Sequence, residues 1–146
     1  AATTDANFVE GVVSFACFTF DDKMWVACGE SNEMHNEIYY SSDGKNWAAI
    51  LFPPFLTRVA PTFFTFRGMM YIGGGYDDMT CNCMLEDMWR SADGYNWEQV
   101  TDALSYGTMM KQAAVNFKDE IYLIGGSTDQ GTGYCVNSVY ISQEMD

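Results

Sequence analysis

The sequence predicts an all-β protein, and three observations support this prediction. Its 146 residues include ten Phe, nine Tyr and four Trp, side chains that suit a pleated, half-buried sheet. There is no long tract of Leu, Ala, Glu and Lys of the kind that favours helix. Short apolar runs end in glycine-bearing turns, as at Gly73-Gly74-Gly75 and Asp93-Gly94, which is typical of antiparallel strands. The length fits one domain with a real core.

Internal repetition is the strongest signal in the chain. Three units each begin with two apolar runs around a tight turn, which predicts a hairpin. The second run of each hairpin starts with an aromatic residue and ends in a glycine pair or its equivalent: Trp25-Val26-Ala27-Cys28-Gly29, Tyr71-Ile72-Gly73-Gly74-Gly75 and Tyr122-Leu123-Ile124-Gly125-Gly126. Glycine at such a strand end permits positive φ or the close approach of a neighbouring backbone.

A third strand is predicted downstream of each hairpin, beginning near Glu37, Asp87 and Ser138. In the first two units the dipeptides Asp43-Gly44 and Asp93-Gly94 follow, and we predict primed hairpin turns there. A fourth strand then opens with a tryptophan in each of these units. Four short strands that recur at about 40–50 residues are the pattern of a propeller blade.

The glycine pairs, the acidic-then-aromatic third strands and the tryptophans of the fourth strands resemble kelch repeats. This resemblance implies three kelch-like β-propeller blades, each a four-stranded antiparallel sheet, at about residues 11–51, 59–101 and 111–146. It assigns close backbone approach or packing between sheets to Gly29, Gly74, Gly75, Gly125, Gly126, Trp25, Tyr71, Tyr122, Trp47 and Trp97. The Ser-x-Asp-Gly-x-Asn-Trp turns resemble, more distantly, the Asp-box of sialidase-type propellers.

The third unit stops before its fourth strand, while residues 1–10 precede the first. Within them Asn7, Phe8 and Val9 are similar to the start of a fourth strand, with Phe8 in the place of the tryptophan. Propellers need about 4–8 blades, so three blades require others. We expect residues 1–10 to close the third blade of a second copy, so that two copies form a six-bladed ring. The alternative is that the sequence is a piece of a longer kelch protein.

The balance of charge and cysteine limits the partners and the compartment. A net charge of −13 repels phosphate backbones and anionic lipid, which argues against nucleic-acid binding. No apolar run approaches the roughly 18 residues of a membrane span. Five cysteines favour an oxidising, extracellular location. The first residue, Ala1, fits a mature secreted chain or an excised fragment.

Three cysteines lie in loops that follow the second strands of two units. Cys81 and Cys83 belong to the second unit and Cys135 to the third. Neighbouring blades would bring these loops side by side, so we expect a disulfide from Cys135 to Cys81 or Cys83 if their Cα atoms come within about 7 Å.

Residues with catalytic or metal-binding chemistry are sparse. The densest acidic group, which could supply oxygen ligands to Ca²⁺ or form a solvated loop, is Asp77, Asp78, Glu86 and Asp87. His35 is the only histidine, which argues against most zinc sites, and we interpret it as an exposed loop residue. Arg58, Arg67 and Arg90 are interpreted as solvated surface cations. No catalytic residue, cofactor or firm metal site is predicted.

Three functions are consistent with this sequence. The first is a non-enzymatic module that binds another protein or a glycan and associates with itself. The second is a carbohydrate-active or carbohydrate-binding propeller, of the kind that includes sialic-acid epimerases, which would need arginine and acidic side chains to converge. The third is a fragment of a larger kelch protein. Fold resemblance alone does not select among them, and the first is the prediction we carry forward.

Overall fold

The computed structural model describes residues 11–105, 107–128 and 135–142, and every regular element within these ranges is a β-strand. The strands form two four-stranded sheets, one three-stranded sheet and a two-stranded hairpin, all antiparallel. The all-β prediction is therefore confirmed. Within the same ranges, no helix has the length and apolarity that crossing a membrane requires.

The first sheet follows chain order. It contains β1 (Ala16–Phe20), β2 (Lys23–Glu30), β3 (Met34–Ser41) and β4 (Ala48–Ile50). β1 and β2 form a tight hairpin because Asp21 and Asp22 adopt positive φ, 49° and 54°, as the twist of paired strands demands of a two-residue turn.

The second sheet repeats this order with an insertion. β5 (Thr62–Phe66) and β6 (Met69–Gly73) are followed by a short hairpin of β7 (Tyr76–Asp77) and β8 (Cys83–Met84). β9 (Met88–Ser91) then pairs with β6, and β10 (Glu98–Thr101) pairs with β9. Trp47 and Trp97 directly precede the fourth strands of their sheets and are half-buried, whereas the sequence analysis placed them within those strands.

The third sheet contains β11 (Ala113–Phe117), β12 (Glu120–Ile124) and β13 (Val139–Ser142), in that order. The expected fourth strand is absent from the described part of this sheet, so β13 is its edge. The predicted closing strand, with Asn7, Phe8 and Val9, lies outside the described residues.

The turns from third to fourth strands differ from the primed turns that the sequence suggested. A primed turn of the Asn-Gly type needs positive φ at both central residues, but only Gly44 (72°) and Gly94 (81°) have it, and Asp43 and Asp93 do not. Residues 42–47 and 92–97 form longer loops that an aspartate side chain closes.

The sheets pack face to face in chain order. β5 lies beside both β1 and β11, so the first strands of the three sheets are neighbours. The core between the first and second sheets includes Trp25, Ile38, Met70 and Ile72. The core between the second and third sheets includes Phe64, Tyr71, Ile121 and Leu123. The second sheet therefore packs one face against the first sheet and the other against the third, whereas the first and third sheets each use one face in this way.

Candidate functional site

Apolar side chains lie exposed on the face of the third sheet that points away from the second sheet. This third-sheet outer face consists of Val115, Phe117, Tyr122, Ile124 and Val139, which are neighbours across β11, β12 and β13. Four of them have 43% to 56% of their surface exposed, and Tyr122 is half-buried. Contiguous apolar exposure of this kind marks interaction sites.

The second candidate surface is the face of the first sheet that points away from the second sheet. This first-sheet outer face consists of Cys17, Thr19, Met24 and Val26, in the cross-strand pairs Cys17 with Val26 and Thr19 with Met24. Cys17 and Thr19 are exposed, Met24 keeps 37% of its surface accessible, and Val26 is buried, with 9% accessible. The row of three sheets thus ends in an accessible, partly apolar face on each side.

Glycines carry close contacts between successive segments. A Cβ added to Gly29 or Gly75 would lie 2.7 Å from the Val13 or Val59 carbonyl oxygen respectively, and one on Gly126 would lie 2.7 Å from Gln112 Cγ. The preceding positions are also left-handed, with φ of 61° at Cys28, 59° at Gly74 and 67° at Gly125. Cys28 therefore occupies a backbone conformation that its two siblings give to glycine.

The two aspartate-closed loops have the same hydrogen-bond network. Asp43 Oδ1 accepts the amides of Lys45 and Asn46, each at 2.8 Å, and Oδ2 accepts the Asn46 side chain at 2.7 Å. Asp93 makes the same three contacts one unit later, each at 2.8 Å. The amide of Asn46, followed by that of Lys45, holds the pKa of Asp43 well below its ordinary value.

In the second loop, the amide and side chain of Asn96 lower the pKa of Asp93 to about 2. Both loops remain solvent-exposed at their tips. Their carboxylates bond within the turn, which is a structural use of the motif.

Arg58 is fully buried, contrary to the expectation of a solvated cation. Its guanidinium makes a bidentate ion pair with Asp87 at 2.8 and 2.9 Å and donates to the Gly74 carbonyl at 3.2 Å. Burial raises the pKa of Asp87, but the hydrogen bonds and charge of Arg58, with a bond from Trp89, outweigh it and lower that pKa. The pair ties the linker after the first sheet to the start of β9.

Asp77 is also buried and organises the loop that follows it. Its carboxylate accepts the amides of Met79, Thr80 and Cys81 at 3.0 to 3.2 Å, and the Thr57 hydroxyl donates to it. Burial acts to raise the pKa of Asp77, yet these donors, Thr57 first, lower it.

The disulfide in this loop joins Cys81 to Cys83, with Cα atoms 5.1 Å apart. The expected bond from Cys135 to one of these residues is therefore wrong, and Cys135 is a free, exposed thiol. The local bond forms because Asn82 adopts positive φ of 50° and folds the chain back between the two sulfurs. Cys135 instead pairs through its backbone with Ser127.

The structure does not assemble the calcium ligands that the acidic sequence suggested. The Asp77 and Asp87 carboxylates already accept bonds from protein donors, while Asp78 and Glu86 are exposed. Among the residues that the structure describes, no group of three or more His, Cys, Asp or Glu side chains is arranged to hold a metal ion.

A hydroxyl, an imidazole and a carboxylate line up where β2 meets β3. Ser31 Oγ lies 2.8 Å from His35 Nε2, and His35 Nδ1 lies 3.2 Å from Glu37 Oε2. These are the groups of a nucleophilic triad, but Glu37 Oε2 has no aligned hydrogen bond among the described residues. The Ser31 amide, a natural oxyanion donor, is bonded to the Glu33 carbonyl at 2.9 Å. We interpret the group as a brace for the hairpin. His35 lies half-buried in β3, so the expectation of an exposed loop residue is wrong.

The arginines do not converge on a common point. Arg90 pairs with Glu98 at 2.5 Å and Arg67 with Asp119 at 3.4 Å, while Arg58 binds Asp87. Each is thus engaged with a different carboxylate, and the arginine cluster that a sugar-acid enzyme would need is not formed by these residues.

Sequence reasoning missed the two outer faces and the Arg58 site. The internal repeat carried a signal for the faces, since Met24 occupies the strand position of Met70 and Ile121, both of which are fully buried. An exposed apolar residue whose counterparts in the other two units are buried indicates that a further sheet packs against it. No family model matches the chain, and no curated protein matches its sequence.

Proposed function

We propose that this chain is a non-enzymatic binding and assembly module of the kelch type, which associates with a second copy of itself and binds another protein or a glycan. The observation that supports this most directly is the pair of accessible, partly apolar outer faces at the two ends of the row of sheets. Stacked repeats generally end in polar, capping faces. Ile124 and Val139, which are 43% and 55% exposed, are the opposite of a cap.

Burial of these side chains favours association. Apolar surface removed from water contributes about 25 cal/mol per Å² to the free energy of association. Met24 on one outer face and Ile124 and Val139 on the other are exposed apolar side chains that such a contact would bury. Acidic copies repel each other at long range because each carries a net charge of −13, so we expect association to strengthen as salt screens that repulsion.

Strand exchange is the second part of the proposed assembly. β13 is the edge of the third sheet within the described residues, where the other two sheets continue to a fourth strand, and open edges recruit extended segments. Residues 1–10, through Asn7, Phe8 and Val9, are the proposed occupant in a second copy.

Light scattering of the isolated chain tests the proposal. We expect a mass twice that of the 16.4 kDa chain, with a larger dimer fraction at higher salt. A chain that stays monomeric well above micromolar concentration would overturn the self-association. Deletion of residues 1–10 then tests strand exchange separately: we expect weaker association, and an unchanged dimer would reject that part.

A glycan is a second candidate ligand, and one cavity favours it. The cavity has a volume of about 220 Å³ and lies beside the first aspartate-closed loop, with Lys23, Tyr40, Asn46 and Trp47 in its wall. Aromatic, amide and hydroxyl groups together suit a sugar ring, although drug-sized ligands need about 300–1,000 Å³. Titration with monosaccharides, followed by tryptophan fluorescence, tests this. Loss of the response in Trp47→Phe but not in Trp97→Phe would support the site, and no response in the wild type would reject it.

An extracellular location is the compartment we propose. The bonded pair Cys81–Cys83 is compatible with an oxidising environment. Mass spectrometry of the chain purified from its native source under thiol-blocking conditions should find this pair oxidised. A reduced pair would contradict the proposed location.

A further inference from the structure

The two contacts between sheets inside the chain suggest which surfaces meet between copies. Building on the self-association proposed above, we infer that the third-sheet outer face of one copy packs against the first-sheet outer face of a second copy. The occupant of each face is thus the opposite face of the same protein. Four independent features of the described residues support this pairing.

The first feature is the contrast in burial at matching positions of the sheets. Ala27 and Ile38 are partners across β2 and β3 in the first sheet, and they are 2% and 0% exposed beneath the second sheet. The same positions in the third sheet are Ile124 and Val139, which are also cross-strand partners but are 43% and 55% exposed. The third sheet therefore keeps the apolar side chains of a covered face without the sheet that covers it.

The second feature is the exposure of a side chain on the first sheet whose counterparts on the other two sheets are buried. Met70 and Ile121 each lie under the preceding sheet and are fully buried, whereas Met24, at the same strand position, is 37% exposed. The first sheet thus needs a preceding sheet, just as the third needs a following one.

The third feature is a contact of a loop glycine with an aromatic ring and a methionine. It is complete at Gly94, whereas at Gly44 only the methionine is present. A Cβ on Gly94 would meet the Trp25 ring at 2.3 Å and Met70 Cε at 3.2 Å. A Cβ on Gly44 would meet Met24 Cε, also at 3.2 Å, but no ring among the residues that the structure describes. Trp25 corresponds to Tyr122 in the third unit. Tyr122 of the second copy is therefore the ring that we assign to the place beside Gly44.

The fourth feature is a relay of backbone hydrogen bonds that links the units. The Ala60 amide donates to the Ser14 carbonyl at 2.7 Å, and the Lys111 amide donates to the Ala60 carbonyl at 3.0 Å. All three residues have similar positive φ, at 55°, 50° and 61° in chain order. The next link would join the Ser14 amide to the Lys111 carbonyl of the second copy.

A parallel row of bonds gives the same answer. The Gly29 amide donates to the Arg58 carbonyl and the Gly75 amide to the Met109 carbonyl, both at 2.9 Å. The equivalent donor in the third unit is the Gly126 amide. Its acceptor would be the Val12 carbonyl of the second copy, because Val12 stands in the first unit where Arg58 and Met109 stand in theirs.

Closure follows from symmetry. A contact between unlike faces is heterologous, and it forms a ring only if the rotation closes. Two copies provide six sheets, which lies within the range of about 4–8 sheets at which such rings close. Each copy would then use both of its outer faces once.

A complementation experiment tests this pairing of unlike faces. Ile124→Lys places a charge on the third-sheet outer face, and Met24→Lys places one on the first-sheet outer face. Both positions are exposed within one chain, so each variant should fold. Each variant alone should be monomeric at concentrations where the wild type is dimeric, because both contacts of the ring then bury a lysine. An equimolar mixture should recover the dimer mass, because one of its two contacts is wild type on both sides.

Phe52→Lys is the matched control, because Phe52 is 91% exposed on the linker after β4 and outside both faces. It should leave the dimer intact. A dimer that survives Met24→Lys but not Ile124→Lys would overturn the inference in favour of a contact between two third sheets. A dimer that survives both substitutions would overturn it while leaving self-association, through the strand exchange tested by deletion, in place.

Discussion

Arg58 and Asp87, which are 29 residues apart in the sequence, form a bidentate ion pair in which the arginine side chain is fully buried. Arg58 also joins the first sheet through its backbone, since its amide donates to the His35 carbonyl at 3.1 Å and its carbonyl accepts from Gly29. One residue therefore couples the linker to two sheets, with its guanidinium stacked 5.2 Å from the centre of the Phe55 ring.

Removing the Asp87 charge should be strongly destabilising. Asp87→Asn leaves a buried guanidinium without its counter-charge, and breaking a buried pair in this way costs about 3–5 kcal/mol. Urea unfolding measures the loss. The control is Asp119→Asn, which breaks the exposed pair with Arg67 and should change the unfolding free energy by about 0–1 kcal/mol. Equal effects of the two substitutions would contradict this account of Arg58.

Gly94 should tolerate no side chain. Gly94→Ala places a Cβ 2.3 Å from the Trp25 ring, and overpacking of this kind costs about 1–3 kcal/mol. Gly68→Ala is the control, because Gly68 has a similar φ, 75° against 81°, but open space around it. It should show only the backbone penalty of about 1–2 kcal/mol. The difference between the two variants in urea unfolding isolates the contact between the sheets, and no difference would contradict it.

The three free cysteines should differ in reactivity. Cys17 and Cys135 are exposed, while Cys28 is buried, and burial raises the pKa of the Cys28 thiol to about 12. A thiol reagent attacks the thiolate, so for the folded chain at concentrations where it is monomeric we expect two rapid equivalents, and a third only after unfolding. A colorimetric thiol assay measures both phases. Five equivalents in denaturant without reductant would contradict the Cys81–Cys83 bond.

Acid should weaken the two aspartate-closed loops. The pKa of Asp93 falls from its ordinary 3.8 to about 2 on folding, and that of Asp43 is lowered by the same kind of contact. The unfolded chain therefore binds more protons in this window, so the stability from these carboxylates is full above about pH 4 and is lost as pH falls towards about 2.

The double variant Asp43→Asn, Asp93→Asn lacks these titrations. Its deficit in unfolding free energy relative to the wild type should shrink steadily over that range, as measured by urea unfolding at a series of pH values. Ser42→Ala, an exposed change in the same loop, should show no such trend. A deficit in the double variant that does not depend on pH would contradict the role of the charges.

Local signals in the sequence predicted local structure well. The hairpins of all three units follow from apolar alternation and turn residues, because both act between neighbours in the chain. The primed turns were assigned to the wrong loops. The dipeptide Asp43-Gly44 is typical of such a turn, but the Asp43 carboxylate accepts bonds from the Lys45 and Asn46 amides and closes a longer loop.

Features that depend on how sheets stack were harder to predict. The burial of Arg58 and its pairing with Asp87 arise only when a linker crosses from one sheet to the next, and no short-range pattern encodes that distance. The disulfide was misassigned for a related reason. The expectation for Cys135 relied on neighbouring loops meeting in space, whereas the left-handed conformation of Asn82 brings Cys81 and Cys83 together within one hairpin.

The relay through Ser14, Ala60 and Lys111 uses only main-chain atoms, so these hydrogen bonds between units are made whichever of the three side chains the position carries. Serine, alanine and lysine all adopt there the left-handed backbone conformation that the relay uses. A scaffold joined in this way can acquire new recognition loops, or exchange one unit for another, and still form the same main-chain hydrogen bonds between its units.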